Sequence, residues 1–273
     1  VLIVTDFRTS TTALDVVSTS MRGIGEIGHP VFAATQVMAH PGTNPTISVP
    51  VVDGRALDVE AIWAYLAEPA EFFGFAMPDR DGLSDAIAQF IATVGRSAAA
   101  RIFALSITIA ELEGSAQFVV AGSEVRFTRS EAVRIDVCDA AFPLTRSADP
   151  LWRRMAARTT SRGEADQLRR WLEDRGYVDG LSCGPASDVP FLGALVFGRG
   201  ADVCGVDNAE PTSILTQLQE CEAIAPIRRA DGCPVDADRV WWISPGYEVH
   251  PVAAIGADVY AVDEAAPSFS RIR

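Results

Sequence analysis

MAARTTSRGEAD, residues 155–166, lies between two segments that read easily. Upstream, a strand-like run closes in DAAFPLTRS, residues 139–147. Downstream, RGEADQLRRWLEDRGYVDGL, residues 162–181, has the spacing of an amphipathic helix followed by a turn. Arg158 stands at the junction. The chain has no lysine at all: its 23 basic residues are all arginine. Whatever cation the junction requires is therefore a guanidinium.

Outward from that junction, the chain has the balance of a globular protein. It has 273 residues, 48% of them hydrophobic and 22% charged, enough for one large domain or two smaller ones. A net charge of −13 repels phosphate backbones and argues against nucleic acid as a partner. No apolar run approaches the length of a membrane span, so no membrane partner is expected. VLIVTDFRTS, residues 1–10, has neither a basic leader nor a long apolar core, so no secretory signal is expected. Cys138, Cys183, Cys204, Cys221 and Cys233 are scattered without CxxC spacing, which fits free thiols in a reducing cytoplasm. Cys183 and Cys204 read as inert core thiols. His29, His40 and His250 show no metal-ligand spacing, and no metal is expected.

Periodicity predicts mixed elements in both halves. VLIVTDF opens with a strand, residues 18–30 form a glycine-rich loop, and VFAATQVMAHPG, residues 31–42, reads as a strand. TISVPVVDGR, residues 46–55, is a strand closed by an Asp-Gly turn. DVEAIWAYLAEPAEFFGF, residues 58–75, places Ile62, Tyr65, Leu66 and Phe73 on one helical face, with Pro69 expected to end or kink the helix. A second helix carries the stripe Leu83, Ile87, Phe90, Ile91 and Val94. Strands follow in ARIFALSITIA, QFVVAG and AVRIDVCDA. The two prolines of PLTRSADP, residues 143–150, suggest a boundary: a smaller α+β domain over 1–143, a linker over 144–150 and a larger domain over 151–273. In the second part VPFLGALVFG reads as a buried strand, EPTSILTQLQEC starts a helix, and DADRVWWISPGYEVHPVAAI gives strand, turn and strand. Adjacent Trp241 and Trp242 must face opposite ways, one filling the core and the other lining a pocket or interface. The fold class expected is α+β or α/β.

The order of these pieces resembles the class IV aminotransferases, the fold-type IV pyridoxal-phosphate (PLP) enzymes. AIWAYLAEPAEFFGFAMP, residues 61–78, is similar to that family's first-helix motif, with Leu66, Ala70 and Gly74 in register but Tyr65 for its arginine and Pro69 for its serine. Arg158 falls at the family's Schiff-base lysine, and GYVDGL, residues 176–181, resembles its GADEAL. The family's two phosphate-binding turns correspond to EPTS, residues 210–213, and ISP, residues 243–245. The strand ARIFALSITIA is followed by Glu111 where the family has an arginine-glycine pair, and DVPFLGALVFG lacks the acid that protonates the pyridine nitrogen. The resemblance implies a two-domain architecture with a cleft between the domains, and a homodimer.

The departures bear on chemistry. Transamination needs an amine for the Schiff base and the proton shuttle, and an arginine cannot supply one. The expectation is a PLP-independent enzyme of lyase or isomerase type, acting on a small carboxylated metabolite in the former cofactor cleft. The alternatives are a noncatalytic ligand-binding or subunit-stabilising relative, and an enzyme that binds PLP only noncovalently. Arg158 is the candidate for a substrate carboxylate, unless it pairs with a local acid. Thr212 and Ser213, at a helix start, are candidate anion ligands or simple caps. Ser244 is a candidate anion ligand or part of a tight turn. His250 and Tyr247 are the candidate acid–base residues.

Overall fold

The structure, a computed structural model, describes residues 2–5, 16–17, 43–53, 55, 58–94, 102–112, 115–138, 149–182, 189–208, 212–230, 232–234, 236–262 and 267–272. The segments read above as a loop over 18–30 and a strand over 31–42, together with His29, His40 and Cys183, lie outside the described residues. By its contacts the chain divides into two units: Val1–Glu124 with Thr145–Arg162, and Val125–Leu144 with Gly163–Arg273. The fold is mixed α+β.

In the first unit, β1 (Leu2–Thr5), β2 (Val16–Val17), β3 (Thr46–Val52), β4 (Ile102–Leu112) and β5 (Ser115–Val125) form one sheet in the order β2-β1-β5-β4-β3. β3 and β4 pair antiparallel from Thr46 opposite Thr108 to Val52 opposite Ile102. Alternation sends Ile47, Val49 and Val51 of β3 into the core, as the period of a strand requires. Two helices, α1 (Val59–Phe73) and α2 (Arg80–Val94), supply the other side of that core through Ile62, Leu66, Ala70, Leu83, Ile87 and Phe90. The Asp58 side chain caps α1 by accepting from the Glu60 amide at 2.9 Å. α1 does not end at Pro69. It continues to Phe73 and closes at Gly74, whose φ of 77° is the left-handed cap that glycine adopts freely. Gly122 on β5 gives Phe90 room, since a Cβ there would stand 2.5 Å from the Phe90 ring.

The ambiguous LWRRMAART segment begins with a short helix, α3 (Leu151–Ala156). The residues after it return to β3: the Thr46 amide donates to the Arg158 carbonyl and the Thr160 amide to the Asn44 carbonyl, both at 2.9 Å.

The second unit holds β6 (Val133–Cys138), α4 (Gly163–Glu173), β7 (Asp179–Ser182), β8 (Ala194–Arg199), β9 (Asp202–Val206), α5 (Ile214–Glu220), β10 (Arg228–Arg229), β11 (Arg239–Ile243), β12 (Val249–Ile255) and β13 (Asp258–Val259). Its strands run in the order β10-β9-β8-β11-β12-β6-β7, with β13 added to β12. The division differs from the single boundary at 144–150 read from sequence. β6 pairs parallel with both β12 and β7 and so belongs with the second unit, while α3 and Arg158 belong with the first. Leu195 and Phe197 of β8, Val206 of β9, Val240 and Trp242 of β11 and Val252 of β12 share one buried face. Trp241 points the other way but is also buried, edge-on to Phe269 at 5.3 Å, so neither tryptophan is left to line a pocket.

Candidate functional site

Arg158 sits in the first unit with its guanidinium committed. Nη1 pairs with the Glu68 carboxylate and Nη2 donates to the Tyr65 carbonyl, while the Arg158 Cζ lies 3.8 Å from the centre of the Tyr65 ring. The stacking desolvates one face of the guanidinium and holds it flat against the aromatic ring. Its Nε is buried with no hydrogen-bond partner. α1 explains the arrangement: Tyr65 and Glu68 are three residues apart on one helical face, so a single side chain reaches both. Tyr65 occupies the place where the sequence departed from the family's arginine.

The turn after β11 is closed by its own atoms. The Ser244 hydroxyl oxygen accepts from the amides of Gly246 at 3.2 Å and Glu248 at 3.1 Å. Tyr247 has a φ of 65° and is 1% exposed, and its hydroxyl donates to the Gln217 side-chain oxygen at 2.7 Å. The Tyr247 ring, one of the two candidate acid–base groups, is thus turned inward and bonded to α5.

His250 lies on β12 directly opposite Trp242, with ring centres 5.7 Å apart. Its Nδ1 is 3.3 Å from the Glu131 carbonyl, which can only accept, so Nδ1 carries the proton. Its Nε2 is 3.9 Å from the Glu248 carboxylate, which also pairs with Arg129. The side chain is 13% exposed.

Ser213 is the N-cap of α5. Its extended backbone is followed by a side-chain oxygen that accepts from the Thr216 amide at 3.4 Å. Thr212 precedes it, half-buried. Around the cap lies a network the sequence did not announce. The Asp207 carboxylate, at the end of β9, accepts from the Leu215 amide at 3.0 Å and pairs with Arg229 Nη1. Arg229 Nη2 donates to Ser213 Oγ at 3.0 Å and to Thr216 Oγ1 at 2.8 Å. Burial lowers the Arg229 pKa from its ordinary value.

A second unannounced carboxylate is Asp179, fully buried at the start of β7. It accepts from the amides of Gly180 at 2.8 Å, Phe191 at 3.1 Å, Leu192 at 3.0 Å and Gly193 at 2.8 Å, and from the Trp242 indole at 2.8 Å. Burial raises its pKa, opposed by these donors, which all favour the ionised form. Gly193 has to be bare: a Cβ there would stand 2.4 Å from both the Trp242 indole nitrogen and the Ile243 carbonyl.

The structure thus brings the two sequence-selected turns to one helix, since Ser213 caps α5 and Tyr247 bonds Gln217 within it. Arg158 belongs to the other unit, where its partners are local. Among the described residues no group of three or more His, Cys, Asp or Glu side chains is placed to hold a metal, and no described helix is long and apolar enough to cross a membrane.

No protein-family model and no curated protein matches the sequence. Solved structures do match the fold. A fold IV transaminase from Curtobacterium pusillum is 16% identical, with a TM-score of 0.59 over 88% of each chain. A hypothetical aminotransferase from Mycobacterium tuberculosis, in its apo form, is 17% identical, with a TM-score of 0.58 over 91% of each chain. A hypothetical aminotransferase from the same organism in a PLP-bound form is 17% identical, with a TM-score of 0.54 over 92% of this chain and 91% of that one. The architecture built from Arg158 outward is that of the fold-type IV aminotransferases.

Proposed function

We propose that this chain is a noncatalytic relative of the fold-type IV transaminases, in which the residue at the lysine position serves the fold. The observation that carries the reading is the commitment of Arg158 to Glu68 and Tyr65. A guanidinium stays protonated and cannot condense with an aldehyde, and no other residue of the chain supplies a side-chain amine. Among the described residues, those at the two turns matched to the family's phosphate site do not fit PLP. Both turns that the resemblance assigns to its phosphate are already satisfied: Ser244 binds the amides of its own turn, and the start of α5 receives the Asp207 carboxylate. No chemical step is therefore routed through that group. A subunit-stabilising role is supported by large apolar side chains left at the surface of the first unit: Trp152 is 60% exposed, Leu151 50% and Phe72 42%. The test is to incubate the purified protein with PLP, reduce with borohydride and weigh the intact chain. No mass gain is expected, and a stoichiometric adduct together with transaminase turnover would end this reading.

The His250–Glu248 pair favours a second reading, a PLP-independent lyase or isomerase for a small carboxylated metabolite, with His250 as acid or base. Under it, His250→Gln would lower turnover ~10²–10⁴-fold with little change in ligand affinity. Under the noncatalytic reading the same substitution alters only stability or affinity.

A further inference from the structure

Asp207, Ser213, Thr216 and Arg229 form one hydrogen-bonded cluster whose donors suit a tetrahedral oxyanion, and one of the four is itself the anion. We infer that the Asp207 carboxylate is a built-in occupant of this cup and is the residue that makes the chain reject phosphate-bearing ligands. This deepens the reading above by naming what keeps a phosphorylated ligand out, and rests on it for the ligand class alone.

The cup follows from the sheet. β10 runs parallel to β9 with Arg229 opposite Gly205, two residues before Asp207, so the guanidinium reaches the carboxylate from the neighbouring strand. Gly205 lets α5 settle onto β9, because a Cβ there would meet the Leu215 side chain at 2.5 Å. That seating brings the Leu215 amide to Asp207 Oδ2 at 3.0 Å, while Oδ1 pairs with Arg229 Nη1. The other guanidinium nitrogen aligns the hydroxyls of Ser213 at 3.0 Å and Thr216 at 2.8 Å. The Asp207 side chain is 3% exposed and that of Arg229 is 31%, so the anion is buried and the cation partly exposed. A forked cation, two hydroxyls and an amide are the groups that recognise phosphate. A phosphate entering this chain meets a fixed negative charge at contact range, where solvent screens little.

The experiment is thermal unfolding of full-length Asp207→Ala in inorganic phosphate, against chloride at matched ionic strength. The variant should gain a saturable, phosphate-dependent rise in Tm. Its phosphate affinity should exceed that of the wild type by at least about 10-fold. Adding Arg229→Gln should abolish the gain. Should Asp207→Ala not be recovered folded, Asp207→Ser repeats the test, read as refolding yield in phosphate against chloride. Equal responses to the two salts would overturn the inference. So would a gain that survives Arg229→Gln, saturable binding to the wild type with the variant's affinity, or no refolding of either variant in phosphate. A PLP adduct with turnover in the wild type sinks the noncatalytic reading, whereas a phosphate-blind Asp207→Ala sinks only the cup.

Discussion

The Trp242 indole donates to the Asp179 carboxylate at 2.8 Å inside the core of the second unit, across 63 residues of sequence. Four backbone amides converge on the same carboxylate. Replacing Asp179 by alanine leaves these donors buried and unsatisfied, and each such group costs about 1–3 kcal/mol. Asp179→Ala is therefore expected to lose about 3–5 kcal/mol of stability, measured by urea unfolding, the upper part of the range for a single substitution.

The pH dependence of this carboxylate has a definite sign. Burial raises its folded pKa above the ordinary value of 3.8, so its contribution to stability is full below 3.8 and declines as pH rises through the folded pKa. Trp242→Phe removes a donor that opposes the rise, so the decline should continue to higher pH than in the wild type. Unfolding free energies measured across the acid range should show the gap between wild type and Trp242→Phe widening with pH and then levelling. A gap independent of pH would mean that the indole acts by packing alone.

Arg158→Ala should destabilise the first unit by about 1–3 kcal/mol, through loss of the Tyr65 stacking and the carbonyl contact. The Glu68 pairing adds little, because that carboxylate is 65% exposed. Arg158→Lys places an amine at the position that the sequence resemblance matches to the family's reactive lysine. On the geometry of the Asp207 cup it should still gain no PLP mass after borohydride, and a full adduct would show that the missing lysine was the sole barrier.

Tyr247→Phe should cost about 1–2 kcal/mol, since it removes the buried hydrogen bond to the Gln217 oxygen. Chemical denaturation of the single variant checks the size. If the hydroxyl were also a catalytic group, the variant would lose turnover as well as stability.

Cys221 is buried, with its thiol near the Leu218 carbonyl, and burial pushes its pKa to about 11. Peptide mapping after brief alkylation at pH 8 should find Cys221 largely unmodified while the half-buried Cys233 is labelled. Prompt labelling of Cys221 would require α5 to open locally.

Much of the scaffold is written in local pattern. The alternation of Thr46–Val52 and the stripe Leu83, Ile87, Phe90 each name their buried face, because a strand or helix repeats within a few residues. Pro69 does not end α1: burial of Leu66, Pro69 and Ala70 and the Gly74 cap carry the helix on to Phe73. The polar sites were hidden for a different reason. Asp207 meets Arg229 22 residues away, and Arg158 meets Glu68 and Tyr65 across 90 and 93 residues. No spacing rule links such partners, and only the completed sheets bring them together. Sequence marked Arg158, Ser213, Ser244 and Tyr247 as candidates, but not that they would meet Glu68 and Tyr65, Thr216 and Arg229, the amides of a single turn, and Gln217.

The return of residues 158–160 to the start of β3 governs how this chain tolerates being divided. A fragment stopped at residue 143 would lack the strand partner whose Arg158 carbonyl receives the Thr46 amide and whose Thr160 amide reaches Asn44. The complementary fragment would carry α3 with nothing of its own unit to lie on, and would have lost β6 from between β12 and β7. Neither half coincides with one of the two units that the contacts define. Split-protein reconstitution should therefore succeed only when both pieces are present while they fold.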